Sequence, residues 1–187
     1  DVIRDITSGF KSDTLRPQNG TVRLSVGSRF EGSGWFRFTD RLAECEMNNH
    51  RDGRISQKVD IDRRPDWFGN HAIFNDGLLS RLFPLGAKPG KKPIMAMMSS
   101  PDHRGATGPL IFPMNFSIVY EKTETITVGA GTFEARKFQI TDTAGELPEE
   151  HPPYEMWCTN DQDGLFLKGG VGGYMLTHYE LVELERD

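Results

Sequence analysis

Apolar and polar residues alternate in short runs along most of this chain, and Gly, Asp and Asn residues separate the runs. Thr21 to Val26 puts Val22, Leu24 and Val26 on one side and Arg23 and Ser25 on the other, the two-residue period of a half-buried strand. Gly34-Trp35-Phe36-Arg37-Phe38 also alternates, and its aromatics favour a pleated surface. Gly27-Ser28-Arg29 and Glu31-Gly32-Ser33 read as turns. Asp52-Gly53, between Cys45–Asn49 and Arg54–Asp60, is a short-range hairpin signal. Further on, Ser117–Tyr120, Glu124–Val128, Thr132–Thr141, Tyr154–Thr159, Gly164–Lys168 and Tyr174–Glu185 carry strand-like content. Gly129-Ala130-Gly131 and Asp161-Gln162-Asp163-Gly164 supply tight turns among them.

Residues 65–115 break the pattern. Leu78 to Phe83 suits a turn of helix or a strand; Leu78, Leu79, Leu82 and Phe83 match helical spacing, and Pro84 would end such a helix. Two loops follow, Gly86–Pro93 and Ser99–Pro113, on either side of the methionine-rich run Ile94–Met98. Loops of that length in a compact domain are usually functional, and these two are expected to lie as a lid across a barrel mouth. Gly145–Pro153, rich in proline and glutamate, reads as a surface loop. The expected fold is therefore all-β: a single antiparallel β-barrel or half-open barrel of lipocalin or calycin kind, in one domain over residues 1–187, with one short helix and long lid loops.

Composition changes this picture little. A chain of 187 residues with 36% hydrophobic and 26% charged residues is ordinary for a soluble globular domain. A net charge of −5 disfavours nucleic acid, and Arg63-Arg64 and Lys91-Lys92 are too short to reverse that, reading instead as solvated turns. No stretch approaches the roughly 18 apolar residues of a membrane span. Cys45 and Cys158, the only cysteines, are compatible with one bridge or two buried thiols. Asp1 is consistent with a removed signal peptide or a trimmed tag, so the expected location is cytoplasmic with an exported one as the alternative. The oligomeric state is open, a homodimer included.

Glu124-Thr125-Ile126-Thr127-Val128-Gly129-Ala130-Gly131-Thr132-Phe133-Glu134-Ala135-Arg136 resembles the V-x-V-x-A-G-T-F-x-A hairpin of the DUF3108-like group of bacterial proteins. Tyr154-Glu155-Met156-Trp157, Leu165-Phe166-Leu167-Lys168 and Tyr179-Glu180-Leu181 resemble the strands that follow it there. The likeness covers about the C-terminal third. It implies an open β-barrel or β-roll, carries no catalytic residue, and leaves a structural or envelope accessory role open.

The strongest candidate for chemistry is Trp67 to Gly77, which brings aromatics, His71 and Asp76 together. An imidazole moves protons near neutral pH, and a carboxylate can fix its tautomer. On a strand, however, His71 and Asp76 point to opposite faces, and the alternative is a turn capped by His71. Arg54, in Asn49-His50-Arg51-Asp52-Gly53-Arg54, is suited to a carboxylate or phenolate, unless it stands at an exposed hairpin tip. His178 lies on a mixed-polarity strand. Were its face turned inward, burial would lower its pKa and leave a neutral base, or simply a hydrogen-bonded core histidine. Glu155 shares a face with Trp157, away from Tyr154, Met156 and Cys158. Asp60-Ile61-Asp62-Arg63-Arg64 lacks the further oxygens and the glycine of a calcium loop. The five histidines show no metal-ligand spacing, and no phosphate loop, dinucleotide fingerprint or nucleophile elbow is present.

Two functions follow. One is a cofactor-independent isomerase, cyclase or lyase acting on a hydrophobic or aromatic small molecule, with His71, Asp76, Arg54 and His178 moving protons. The other is a lipocalin-like carrier with the same lining and no catalysis. In both, Trp35, Trp67, Phe74, Met97, Tyr154, Trp157 and Tyr174 are the expected ligand contacts, and neither metal nor cofactor is called for.

Overall fold

The computed structural model describes residues 2–70, 72–99, 110–142, 153–172 and 177–185. Among them the alternating segments form twelve strands and one 3₁₀ helix. The class is all-β and barrel-like, with a five-stranded sheet and a strongly curled seven-stranded half-barrel sheet. The chain packs as two units, Asp1–Ala72 with Met95–Met114 and Ile73–Ile94 with Asn115–Asp187.

The first unit contains an antiparallel meander of β1 (Val2–Phe10), β2 (Pro17–Val26), β3 (Arg29–Phe38), β4 (Leu42–Asn49) and β5 (Gly53–Asp60). The alternation in β2 and β3 does what it predicts: Val22, Leu24, Phe36 and Phe38 are buried, whereas Thr21, Arg23, Trp35 and Arg37 face solvent. Cys45 and Met47 of β4 complete this inner face. Gly53, with φ 71°, makes the expected hairpin turn between β4 and β5. Glu31-Gly32-Ser33 is not a turn but lies inside β3. A Cβ at Gly32 would stand 2.8 Å from the Asn48 carbonyl, so the glycine permits close strand approach rather than chain reversal.

β6 (Trp67–Gly69) pairs with β7 (Gly90–Ser99), the one parallel pair in the described register. Phe68 sits over the inner face of the meander, its ring 4.9 Å from Phe36 and 4.8 Å from Phe38. Asp66 fixes this crossing. Its amide donates to the Met95 carbonyl at 2.8 Å, and its carboxylate accepts from the Met95 amide at 3.0 Å. The same carboxylate holds Arg16 at 2.9 Å and Arg63 at 3.0 Å. Arg64 donates to the Phe38 carbonyl at 2.6 Å. The Arg63-Arg64 pair is therefore structural, not a solvated turn. Residues 90–93, expected in a loop, begin β7. Residues 100–109 and 143–152, which hold most of the second expected lid loop and of the surface loop, lie outside the described residues.

The second unit is built on β8 (Ile111–Val128), β9 (Gly131–Asp142), β10 (Tyr154–Thr159), β11 (Phe166–Val171) and β12 (Thr177–Glu180), with β8 entering it at Asn115. Ser117–Tyr120 and Glu124–Val128 are one strand, with a bulge between Tyr120 and Lys122. Gly129 and Ala130 turn it into β9, as expected. The helix is 3₁₀ and longer than expected, Ile73–Leu82, and buries Asp76, Gly77, Leu79 and Ser80. Gly77 is required there, since a Cβ would meet the Gly164 carbonyl at 2.7 Å and the Phe166 amide at 2.9 Å. The rings of Phe83, Tyr120 and Phe138 cluster at 5.3–5.8 Å.

Beyond β12 the chain latches onto the β8–β9 turn. Leu181 donates to the Leu167 carbonyl at 2.8 Å and accepts from the Ala130 amide at 3.0 Å, while Glu180 accepts from the Gly129 amide at 2.8 Å. The Gly129 hydrogen bond, followed by His178, holds the Glu180 carboxyl below its ordinary value. A depressed carboxyl pKa favours the latched state at pH above the unfolded value, and that contribution disappears as pH falls through the folded pKa. The Gly129 amide resonance should therefore titrate with a midpoint below 4.5, the ordinary glutamate value. A midpoint at or above that value would mean that the latch does not form.

Candidate functional site

On the inner face of the second unit, Tyr154, Met156 and Cys158 of β10 lie opposite Ile140, Phe138 and Arg136 of β9. The 3₁₀ helix packs on β10 and β11 and brings Asp76 onto this face. The Tyr154 hydroxyl donates to the Asp76 carboxylate at 2.9 Å. Asp76 is only 3% exposed. Burial, reinforced by the Asp76 charge, pushes the Tyr154 pKa far up, so this hydroxyl keeps its proton and works as a hydrogen-bond donor. Burial also pushes the Cys158 thiol up to about 12, with Arg136 pulling it down and Asp76 adding to the rise. A thiol raised in this way stays protonated at neutral pH and is a poor nucleophile. Cys45, likewise free and buried, is pushed up to about 11 by burial.

Arg136 is the member of this group that sequence reasoning missed. It is 3% exposed, and its Nη1 donates to the carbonyls of Phe83 at 2.8 Å and Ser80 at 3.4 Å, capping the end of the 3₁₀ helix. The signal was available: Arg136 shares the two-residue period of Phe138 and Ile140, a cation placed on an apolar face. Arg136 Nε, Ser80 Oγ and Asn75 Nδ2 are buried with no hydrogen-bond partner among the described residues. Each such group costs about 1–3 kcal/mol relative to a paired one. With the Asp76 carboxylate they place several polar groups in the buried part of the second unit.

The other expected site residues that the structure describes do not join this cluster. His71 and Tyr174 lie outside the described residues. His178 is not in an apolar lumen: its side chain is 67% exposed on β12, with Nε2 3.3 Å from Glu180. The mixed polarity of that strand left its direction undecided, and an edge strand of four residues leaves the ring in water. Arg54 stands on β5 with its side chain 75% exposed, paired with Glu46 at 2.7 Å. That hydrogen bond raises its pKa, and the guanidinium keeps its protons rather than passing one on. It is the exposed hairpin residue of the alternative reading. Phe74 is 66% exposed, Met97 is fully buried in the first unit's core, and Trp67 is half-buried in β6. Trp35 faces solvent on β3.

Trp157 points to the outer face of β10, away from Tyr154. Its indole N–H donates to Glu124 at 2.9 Å, and the ammonium groups of Lys168 and Lys137 lie 4.5 and 5.2 Å from its ring. Both lysines are its direct cross-strand neighbours. Trp157 therefore packs on the apolar cluster of Ile126, Val128, Ala135 and Leu167, flanked by the two ammonium groups and by the carboxylate on its N–H. Among the described residues, no group of three or more His, Cys, Asp and Glu is arranged to hold a metal, and no helix is long and apolar enough to cross a membrane. Comparison of the chain with protein-family models, with curated proteins and with solved structures finds no match.

Proposed function

We propose that the second unit takes up a small apolar or aromatic molecule bearing an oxygen acceptor, and handles a proton on it without a cofactor, as an isomerase, cyclase or lyase does. The observation that carries this reading is the Tyr154 hydroxyl on the buried Asp76 carboxylate, 2.9 Å apart, on a face where Phe138 and Met156 stand beside the buried Arg136. In it Asp76 is the base, because a carboxylate close to an apolar substrate loses competing water. Tyr154 and the unpartnered donors of Asn75, Ser80 and Arg136 would hold the substrate oxygen, where preorganised donors stabilise developing negative charge. The likeness of the C-terminal third to the DUF3108-like group bears on architecture alone and assigns no role to Tyr154 or Arg136, which fall within it.

A second reading, a carrier without catalysis, is favoured by a different observation. The two described histidines, His50 and His178, are both exposed, and the Tyr154 proton is held tightly. Native mass spectrometry of the protein purified from its own host, with identification of any retained compound, separates the two. The expected result is a retained apolar or aromatic oxygen compound, with retention falling about tenfold in Tyr154→Phe, the effect of losing one hydrogen bond of ordinary strength. Conversion of that compound by the wild type and not by Asp76→Asn supports the enzyme. Retention without conversion gives the carrier. A protein that retains nothing and takes up no hydrophobic probe dye rules out both.

A further inference from the structure

We propose that two copies of this chain pair antiparallel along β1, with Ile6 facing Ile6 at a two-fold axis, so that their five-stranded sheets join into one. The strand belongs to the first unit and shares no residue with the Asp76–Tyr154 cluster, so either proposal stands without the other.

Among the described residues β1 pairs with β2 alone, and one row of its backbone N–H and C=O groups has no strand beside it. Such an edge is a template for a further strand, and folded chains usually shorten, interrupt or cover it. The other three sheet edges are treated in that way. β5 is covered through Gln57, whose carboxamide bonds the backbone of Leu110 and Ile111. β6 has three residues and β12 four. β1 has nine, contains no proline and no lysine, and carries its one register irregularity at the far end, between Gly9 and Phe10.

Symmetry narrows the ways in which two such edges can meet. A two-fold pair is isologous, each contact occurring twice. Directly opposite residues of an antiparallel pair stand on the same face, so the axis must pass a residue that faces its own copy. Centred on Arg4, the pairing sets guanidinium against guanidinium. Centred on Asp5, it sets carboxylate against carboxylate, and like charges directly opposite are destabilising. Centred on Thr7, it drops Val2 and Ile3 from the ladder and sets Ile6 against the partner's Ser8. Centred on Ile6, the midpoint of the strand, all nine residues pair, Val2 lying opposite the partner's Phe10. Each charge then meets a neutral residue: Arg4 the partner's Ser8, and Asp5 the partner's Thr7. Ile6 is half-buried against the first unit's core, beside Val22, and meets the same apolar residue of the partner. An unrelated extended peptide would satisfy the same backbone row but would make no use of this self-matching order.

Sedimentation equilibrium of the full chain over a range of concentrations provides the test. Thr7 is the probe, because it is exposed on the outer face and its cross-strand neighbour within the sheet, Thr21, is exposed as well. The expected result is a closed dimer, with no larger species, forming at about 100 µM or below. Thr7→Asp sets a carboxylate against the partner's Asp5 in both halves of the dimer and should weaken association about tenfold. Thr7→Lys sets an ammonium there and should tighten it by a similar factor, and added salt should shrink both effects. Amide hydrogen exchange of the wild type gives a second reading that needs no variant: β1 amides not bonded to β2 should gain protection as concentration rises. A monomer at every concentration, a dimer indifferent to the charge at position 7, Thr7→Lys weakening association as Thr7→Asp does, or β1 amides that stay unprotected would each overturn the proposal. None of these outcomes bears on retention by Tyr154→Phe.

Discussion

Replacing Phe68 with alanine is expected to lower the free energy of unfolding by about 4 kcal/mol, as for buried aromatic truncations generally. Phe68 is 5% exposed and comes from a strand of only three residues, so the side chain rather than the β6 ladder ties this segment to the meander. Its ring meets Phe36 and Phe38 at 4.9 and 4.8 Å. It also lies against Gly20, where a Cβ would come within 3.2 Å of the ring edge. Neighbours held in a paired sheet cannot collapse into the space left behind, so the cavity contributes in addition to the lost transfer free energy. Phe68→Leu should cost less because it refills much of that volume. Urea-induced unfolding followed by far-ultraviolet circular dichroism measures both. A loss below about 1 kcal/mol for the alanine variant would mean that the ring does not fill the core over the inner face of β2 and β3.

That the segment around Phe68 belongs to the core was hard to read from its composition. Trp67 to Gly77 looked like one functional constellation because its aromatic, imidazole and carboxylate residues are contiguous. The chain instead divides it after Ala72 between the two units. Phe68 serves the first unit's core, Phe74 faces solvent, and Asp76 meets a tyrosine 78 residues further on. Asp76-Gly77 has the form of a turn, and only the approach of the Gly164 carbonyl shows why glycine stands there. A carboxylate–hydroxyl pair so distant in sequence has no local signature. Tyr154 was legible as part of an apolar face, but its partner was not.

Elements with local signals were read closely. Tyr154–Thr159 is β10 to the residue, and the turns at Asp52-Gly53 and Gly129-Ala130 lie where their residues put them. The all-β class followed from the same alternation. What failed was alternation interrupted by structure. The bulge after Tyr120 shifts the inward phase, so one strand of 18 residues reads as two shorter ones. β1 went unnoticed because its sequence, Val2-Ile3-Arg4-Asp5-Ile6-Thr7-Ser8-Gly9-Phe10, does not alternate, and pairing with β2 decides its conformation. Gly32, in the middle of β3, looked like a breaker for want of the neighbour that requires it.

Gln57→Met is expected to cost about 3 kcal/mol, the second largest loss, although glutamine on an exposed-looking strand carries no warning in the sequence. β5 is the edge of the meander, and its residues alternate only between exposed and half-buried. The Gln57 carboxamide acts there as a substitute for a further strand. Its Oε1 accepts from the amides of Leu110 at 2.6 Å and Ile111 at 3.1 Å, and its Nε2 donates to the Ile111 carbonyl at 2.7 Å. Leu110 and Ile111 are 2% and 0% exposed, so water has no ready access to the backbone groups that methionine would strand. Three such groups at about 1–3 kcal/mol each exceed the stated cost, and local rearrangement together with the added apolar burial of methionine offsets the remainder. Gln57→Glu separates the contributions: it keeps two acceptor oxygens for the amides but has no donor for the Ile111 carbonyl, and it brings a charge to a half-buried site. It should still be destabilised, yet by less than the methionine variant at neutral pH, with part of the loss recovered as acid returns a proton to the carboxyl. Urea melts of the two variants at neutral and acidic pH provide the comparison. Equal stability of Gln57→Met and wild type would show that the 110–111 segment is held by its side chains in the apolar core and not by this amide.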